Sequence, residues 1–357
     1  MVFMEKKTNI AIPLGITLSV LYIILAARPL SKEAHFISKW TVDANRISAN
    51  ADEAADKNKI PFRIGQTAGY FTEDGIISNV FTFPYKVSIS PSAYAVYGSN
   101  GKPIKFNNPD GSQAGQIELE GFPFFQQDRK YLMLPGGNAF SALNNDGTVH
   151  WSFENYAPIT AFSSSESGVI AGYADGTVIT FDQSGTILDK YSPGGSRYQV
   201  ILGAAISKDA NYYATVSGQD EQRFVLVSRR NGTGTIIFHE FLKTSTNRQV
   251  PVVFSEDSNR CFFAYKDGLG VVDINKLKIT HIKIKGAILS IQLSDDSDTV
   301  FILSKADGRY TVSVLEKYSV YTGSFSFKAD HAFINVHSNK LFVGKDSSIS
   351  CMEFQYK

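Results

Sequence analysis

"SGVIAGYADGTVITFDQSGTILDKY", residues 167–191, holds three short β-rich runs separated by two tight turns. The runs mix β-branched and aromatic residues, and each turn pairs Asp with Gly, which tolerates the left-handed backbone of a hairpin tip. With "ITAFS" (159–163) ahead of it, the stretch becomes a four-stranded antiparallel unit. One such sheet cannot cover its own faces, so the fold depends on whether the unit recurs.

It recurs. The turn between the first two strands begins at Ser90, Gln127, Ser165, Ser207, Ser255, Ser294 and His337, at intervals of 37, 38, 42, 48, 39 and 43 residues. First strands read "KVSIS", "PFFQQ", "ITAFS", "VILGAAIS", "VPVVFS", "ILSIQLS" and "AFINV", and second and third strands follow in every unit. Four strands per roughly 40–45 residues is the signature of propeller blades. The expected fold is all-β: a seven-bladed β-propeller over residues 61–357. Its seventh unit lacks a fourth strand, and the closing strand is expected from residues 62–83, "FRIGQTAGYFTEDGIISNVFTF".

Working outward, two segments precede the repeats. No charge occurs from Thr8 to Ala27, a stretch that would reach ~30 Å as a helix. The expectation is an uncleaved transmembrane signal anchor over residues 1–30, with a single pass through the cell's inner membrane and the propeller on the periplasmic side. Residues 31–60 contain no Gly, and Ile37, Trp40, Ala44 and Ile47 are spaced by three and four, predicting a helical stalk. That seam would pack on the β domain or support self-association.

Composition fits a large β core: 43% apolar residues, with 26 Phe and 17 Tyr. A net charge of +1 gives no global footprint for nucleic acid, which is therefore not expected as a partner. The two cysteines, Cys261 and Cys351, fall on non-adjacent units and are not expected to pair.

The pattern of residues 168–191 resembles the quinoprotein-type and WD40-like propeller repeats of bacterial cell-envelope proteins, and the resemblance covers about residues 62–357. It implies the architecture and little about activity. The chain lacks the Gly-His and Trp-Asp dipeptides of WD40 repeats and the vicinal cysteines of quinone-cofactor dehydrogenases. Trp151 alone matches the docking Trp of the quinoprotein repeat, so no cofactor is expected.

No catalytic signature is present: no Gly-x-Ser-x-Gly elbow, no phosphate-binding loop and no His-Glu-x-x-His. His150, His239 and His281 fall on outer strands, where blades splay, so no metal site is expected. The turn between second and third strands carries Asp175, Asp220, Asp267, Asp307 and Asp346, with Asn100 and Asn138 in the other two units. These lie on one face with the inter-blade loops of Arg197, Lys243 and Arg248. Asp and Asn suit tight turns, and the same ring could meet a partner. The expected role is a non-catalytic protein-interaction scaffold of the cell envelope. A ligand-binding or enzymatic site in the central channel, or a structural part in a secretion or flagellar machine, are the alternatives.

Overall fold

Eight sheets, not seven, make up the unit Phe36–Phe354 of this computed structural model, which describes residues 11–26, 34–98, 103–295 and 299–356. Asn100 lies outside the described residues. Blades 2 to 7 are four-stranded meanders over residues 86–117, 122–154, 159–191, 201–241, 252–283 and 287–328, with strands in sequence order. Every repeat read from the sequence becomes one of these or blade 8. In blade 8, Ala332–His337, Lys340–Lys345 and Ser348–Tyr356 are joined on the outside by Ala34–Asp43.

The missed blade is blade 1, built from Ile60–Ile64, Thr67–Phe71 and Ile77–Thr82. These are the residues expected to supply the closing strand. They escape the repeat because this unit is short by one strand and matches only the second to fourth strands of the others. Its first turn, at Gly65, lies beside His331, which precedes the inner strand of blade 8, whereas its second turn carries Glu73 to His337, at the far end of that same strand. Gly65 takes φ +58° in a two-residue hairpin on the face where the other blades carry their turn between second and third strands, so the unit offers no first turn to register.

The segment expected as a helical stalk is spent on two other tasks. Residues 34–43 form the closing strand, and residues 44–59 run along the outer edge of blade 1. There the Ser48 amide donates to the Ile77 carbonyl (3.0 Å) and the Ile77 amide to Ser48 Oγ (2.8 Å), next to a short 3-10 turn at Ala51–Ala54. A loop thus blunts an edge that would otherwise be open. The three-and-four seam fails for a geometric reason: in a strand, residues three apart point to opposite faces. Trp40 packs inward against Phe71 and Phe342, and Ala44 is buried, while Ile37 and Ile47 are exposed.

The anchor expectation is also overturned. Ala11–Ala26 is apolar but only 16 residues long, so it reaches ~24 Å at 1.5 Å per residue, short of a ~30 Å hydrocarbon core. Among the described residues, no helix is long and apolar enough to cross a membrane. The inner-membrane, single-pass localisation inferred from Thr8–Ala27 loses its basis; Thr8, Asn9, Ile10 and Ala27 lie outside the described residues.

The core sits between blades. Phe224 of blade 5 stacks on Phe263 of blade 6 at 4.0 Å, Phe140 of blade 3 meets Phe162 and Phe181 of blade 4, and Phe62 of blade 1 stacks on Phe333 of blade 8. That last contact, with Phe71 edge-on to Phe342 at 5.1 Å, closes the ring. Cys261 and Cys351 are buried and free, on blades 6 and 8.

Candidate functional site

In the regular blades, the turn between second and third strands and the loop arriving from the previous blade share one face, here called the linker face. Backbone bonds tie them together: the Ala174 amide to the Pro158 carbonyl, Gln219 to Tyr198, and Asp346 to His331. The turn side chains add to these ties. Asp220 accepts from the Ser196 hydroxyl and, at 3.4 Å, from the Arg197 amide. Asp267 accepts from Thr244 Oγ1 at 2.8 Å, beside Lys243. Asp346 Oδ1 takes the amides of Asp330 (2.9 Å) and His331 (3.2 Å), and Asp307 pairs with Lys285 at 3.5 Å. Asn138 donates to the Asn155 carbonyl at 2.7 Å, and Asp175 accepts from the Thr177 amide within its own turn.

The five carboxylates therefore lie on five different blades, and most hold the loop arriving at their own blade. Arg197 meets Asp220 through its backbone, whereas Lys243 and Arg248 stand exposed on the next loop. The Ser196 hydroxyl, followed by the Glu221 and Arg197 amides, draws the Asp220 carboxyl down to about 2.

Sequence reasoning missed what these loops carry between the turns. Tyr85 (73% exposed), Tyr156 (101%) and Tyr198 (65%) lie on inter-blade connections, and Phe122 (40%) opens the inner strand of blade 3, three residues after the exposed Leu119. Lys86 lies over the Phe122 ring at 5.2 Å, and Arg223 over Phe241 at 5.2 Å near Gly195. The signal was available: once the repeat is registered, each aromatic falls just before or at the first residue of an inner strand, where no core contact requires it.

The central channel has two chemically different mouths. On the opposite face, a cavity of about 700 Å³ is bordered by Asp128, Arg129, Glu166, Lys208 and Glu256. Lys208, from blade 5, bridges Glu166 of blade 4 (3.1 Å) and Glu256 of blade 6, and these two partners push its ammonium above the usual lysine range. On the linker face, a cavity of about 530 Å³ is lined by apolar, amide and hydroxyl side chains, none of them charged.

Two histidines join blades. His281 lies between Tyr265 Oη (3.1 Å) and Glu240 of blade 5 (2.9 Å). His337 Nε2 meets Glu73 of blade 1 at 2.9 Å and its Nδ1 meets Asp295 of blade 7 at 3.4 Å, with Lys340 also on Glu73 at 2.8 Å. The two carboxylates approach opposite ring nitrogens, so they do not converge on one point. Among the described residues, no group of three or more His, Cys, Asp or Glu is placed to hold a metal ion.

A family model described as "beta-propeller protein" matches residues 1–356. An uncharacterized protein of Treponema pallidum (strain Nichols) is 29% identical over 352 residues, covering 96% of this chain and 93% of the relative. Among solved structures, BamB from Moraxella catarrhalis superimposes with a TM-score of 0.61 at 13% identity, covering 90% of this chain and 100% of that one. A chain of the mitotic checkpoint complex gives 0.56 at 11% identity, covering 100% and 98%. At these identities, the two structures show a shared fold.

Proposed function

The chain belongs to the beta-propeller protein family, and on that premise we propose that it is a non-catalytic protein-interaction scaffold whose docking surface is the linker face. The observation that carries this reading is the arc of exposed Tyr85, Phe122, Tyr156 and Tyr198 where the chain enters successive blades. Aromatic side chains bury much area with few torsions to freeze, so they recur as interface anchors. Exposed apolar residues scattered singly need no explanation, but several on one face do. Arg197, Lys243 and Arg248, with Asp175, Asp220, Asp267, Asp307 and Asp346, would supply the polar rim. A fold neighbour solved within the mitotic checkpoint complex supports protein partners in general.

The test is crosslinking in intact cells followed by mass spectrometry, comparing the natural chain with a Tyr156→Ser, Tyr198→Ser double variant. Both positions are exposed, so the fold should survive. A stable protein partner whose recovery falls at least tenfold in the variant supports the reading. Recovery of no protein, or a partner unaffected by the double variant, overturns it.

A further inference from the structure

We propose that the outer edge of blade 7 pairs with the same edge of a second copy of this chain, joining two propellers rim to rim through an antiparallel strand pair. The outer strand here, Val320–Lys328, is nine residues long and, among the described residues, pairs with Arg309–Glu316 alone. Its other edge presents backbone N–H and C=O groups to solvent. From Val320 to Phe327 it carries no charge and no proline, and Val320, Tyr321, Ser324 and Ser326 are exposed.

Among the described residues, every other outer strand is blunted. Those of blades 3, 4, 5, 6 and 8 carry Glu154, Lys190, Glu240, Lys283 and Lys39. The outer strand of blade 2, Gln113–Ile117, is uncharged but short and covered, because its Gln116 amide donates to the Asp146 carbonyl of blade 3 at 3.2 Å. That of blade 1 is met by Ser48. Charge and cover are ordinary protections of a sheet edge, and blade 7 has neither over this stretch. Its one device is a bulge at Thr322, which leaves Gly323–Phe327 regular.

The side chains of those five residues suit a copy of themselves. Opposed residues of an antiparallel pair share a face, so a two-fold axis at Phe325 sets Phe325 against its own mate, Ser324 against Ser326 of the copy, and Gly323 against Phe327 of the copy. Gly323 has no positive φ, and an added Cβ would meet nothing within 4 Å, so its own fold does not require a glycine there. The open space takes an aromatic ring from across the pair, which compensates a glycine at a sheet edge. Phe327 is held for that contact by stacking on Tyr310 at 5.9 Å. Lys328 falls opposite Thr322 of the copy, so no like charges meet. This inference does not rest on the scaffold reading, since it uses the rim of blade 7 and not the aromatic arc of blades 2 to 5.

The experiment is sedimentation velocity on the full chain in mild detergent, over roughly 1–500 µM, the range that so small a contact calls for. A reversible monomer–dimer equilibrium is expected. Ser324→Lys with Ser326→Lys sets like charges opposite one another and should weaken the dimer at least tenfold, while circular dichroism stays that of the natural chain. Ser324→Glu with Ser326→Glu should do the same alone, and an equimolar mixture of the two variants should restore a dimer. If either variant fails to fold, Phe325→Cys decides: mild oxidation should link two copies through a disulfide, which the natural chain cannot form readily because Cys261 and Cys351 are buried. A natural chain monomeric across the range, which would leave this edge to a strand of another protein, overturns the proposal. So does a dimer unchanged by the lysine pair, as association through the apolar helix Ala11–Ala26 would be, a mixture that fails to restore it, or a Phe325→Cys chain that does not crosslink.

Discussion

Asp220 illustrates how a fully exposed side chain can still shape the linker face. It accepts from Ser196 and Arg197, and its carboxyl lies at about 2 against an ordinary 3.8. Because the folded value is the lower one, the tie it makes is fully present above about pH 4 and is lost as pH falls toward 2. Hydrogen-exchange protection at the Ser196, Arg197 and Tyr198 amides should therefore drop between pH 4 and 2, and Asp220→Asn should remove that acid-dependent step. Gly75 makes the opposite kind of demand. It takes φ +90°, and an added Cβ would lie 2.9 Å from the Trp40 ring. Gly75→Ala should cost at least ~1–2 kcal/mol in urea unfolding, from backbone strain before any clash.

At the scale of elements, the strand Ala34–Asp43 carries most of what was misread. Trp40 lies 6.2 Å from the Phe71 ring and 5.8 Å from Phe342, and its Nε1 donates to the Glu73 carbonyl at 3.2 Å. Trp40→Ala should cost ~3–5 kcal/mol, in the range of large-to-small core changes. Ile37→Ala should stay within ~0.5 kcal/mol, as for an exposed surface position. A helical seam would make the two comparable, so equal losses in denaturant titrations would reject the strand. The apolar-polar alternation of Phe36, Ser38, Trp40 and Val42 was legible only in part, because Ser38 breaks it on the inward side. A nearby set of alanines at three-and-four spacing offered a competing helical pattern.

At the scale of the whole molecule, the ring is held shut by contacts among its last two blades and its first. Glu73 joins His337 and Lys340 of blade 8, and His337 continues to Asp295 of blade 7. Glu73, His337 and Lys340 are half-buried and Asp295 is exposed, so the coupling of the first three exceeds that of a solvated pair without reaching that of a core triad. Glu73→Gln should cost ~1–2 kcal/mol, and hydrogen exchange should localise the loosening to the strands of blades 1 and 8. Loosening spread evenly around the ring would argue that Glu73 contributes little to closure. The candidate sites belong to this scale too. The aromatic arc and the uncharged channel mouth exist only once consecutive loops and inner strands from several blades are brought side by side.

The sequence by itself determined seven of the sheets, because each carries its own strand alternation and turn chemistry at a regular interval, and both are local properties. It also determined that the turn aspartates share one face, since equivalent positions in a repeat must. Tertiary structure alone decided that residues 34–43 are a strand, that residues 60–82 are a separate three-stranded blade, and which loop each carboxylate ties. The physical reason is that an edge strand or a three-stranded blade gains its stability from neighbours distant in the chain: Trp40 needs Phe342, and Ile77 needs Ser48.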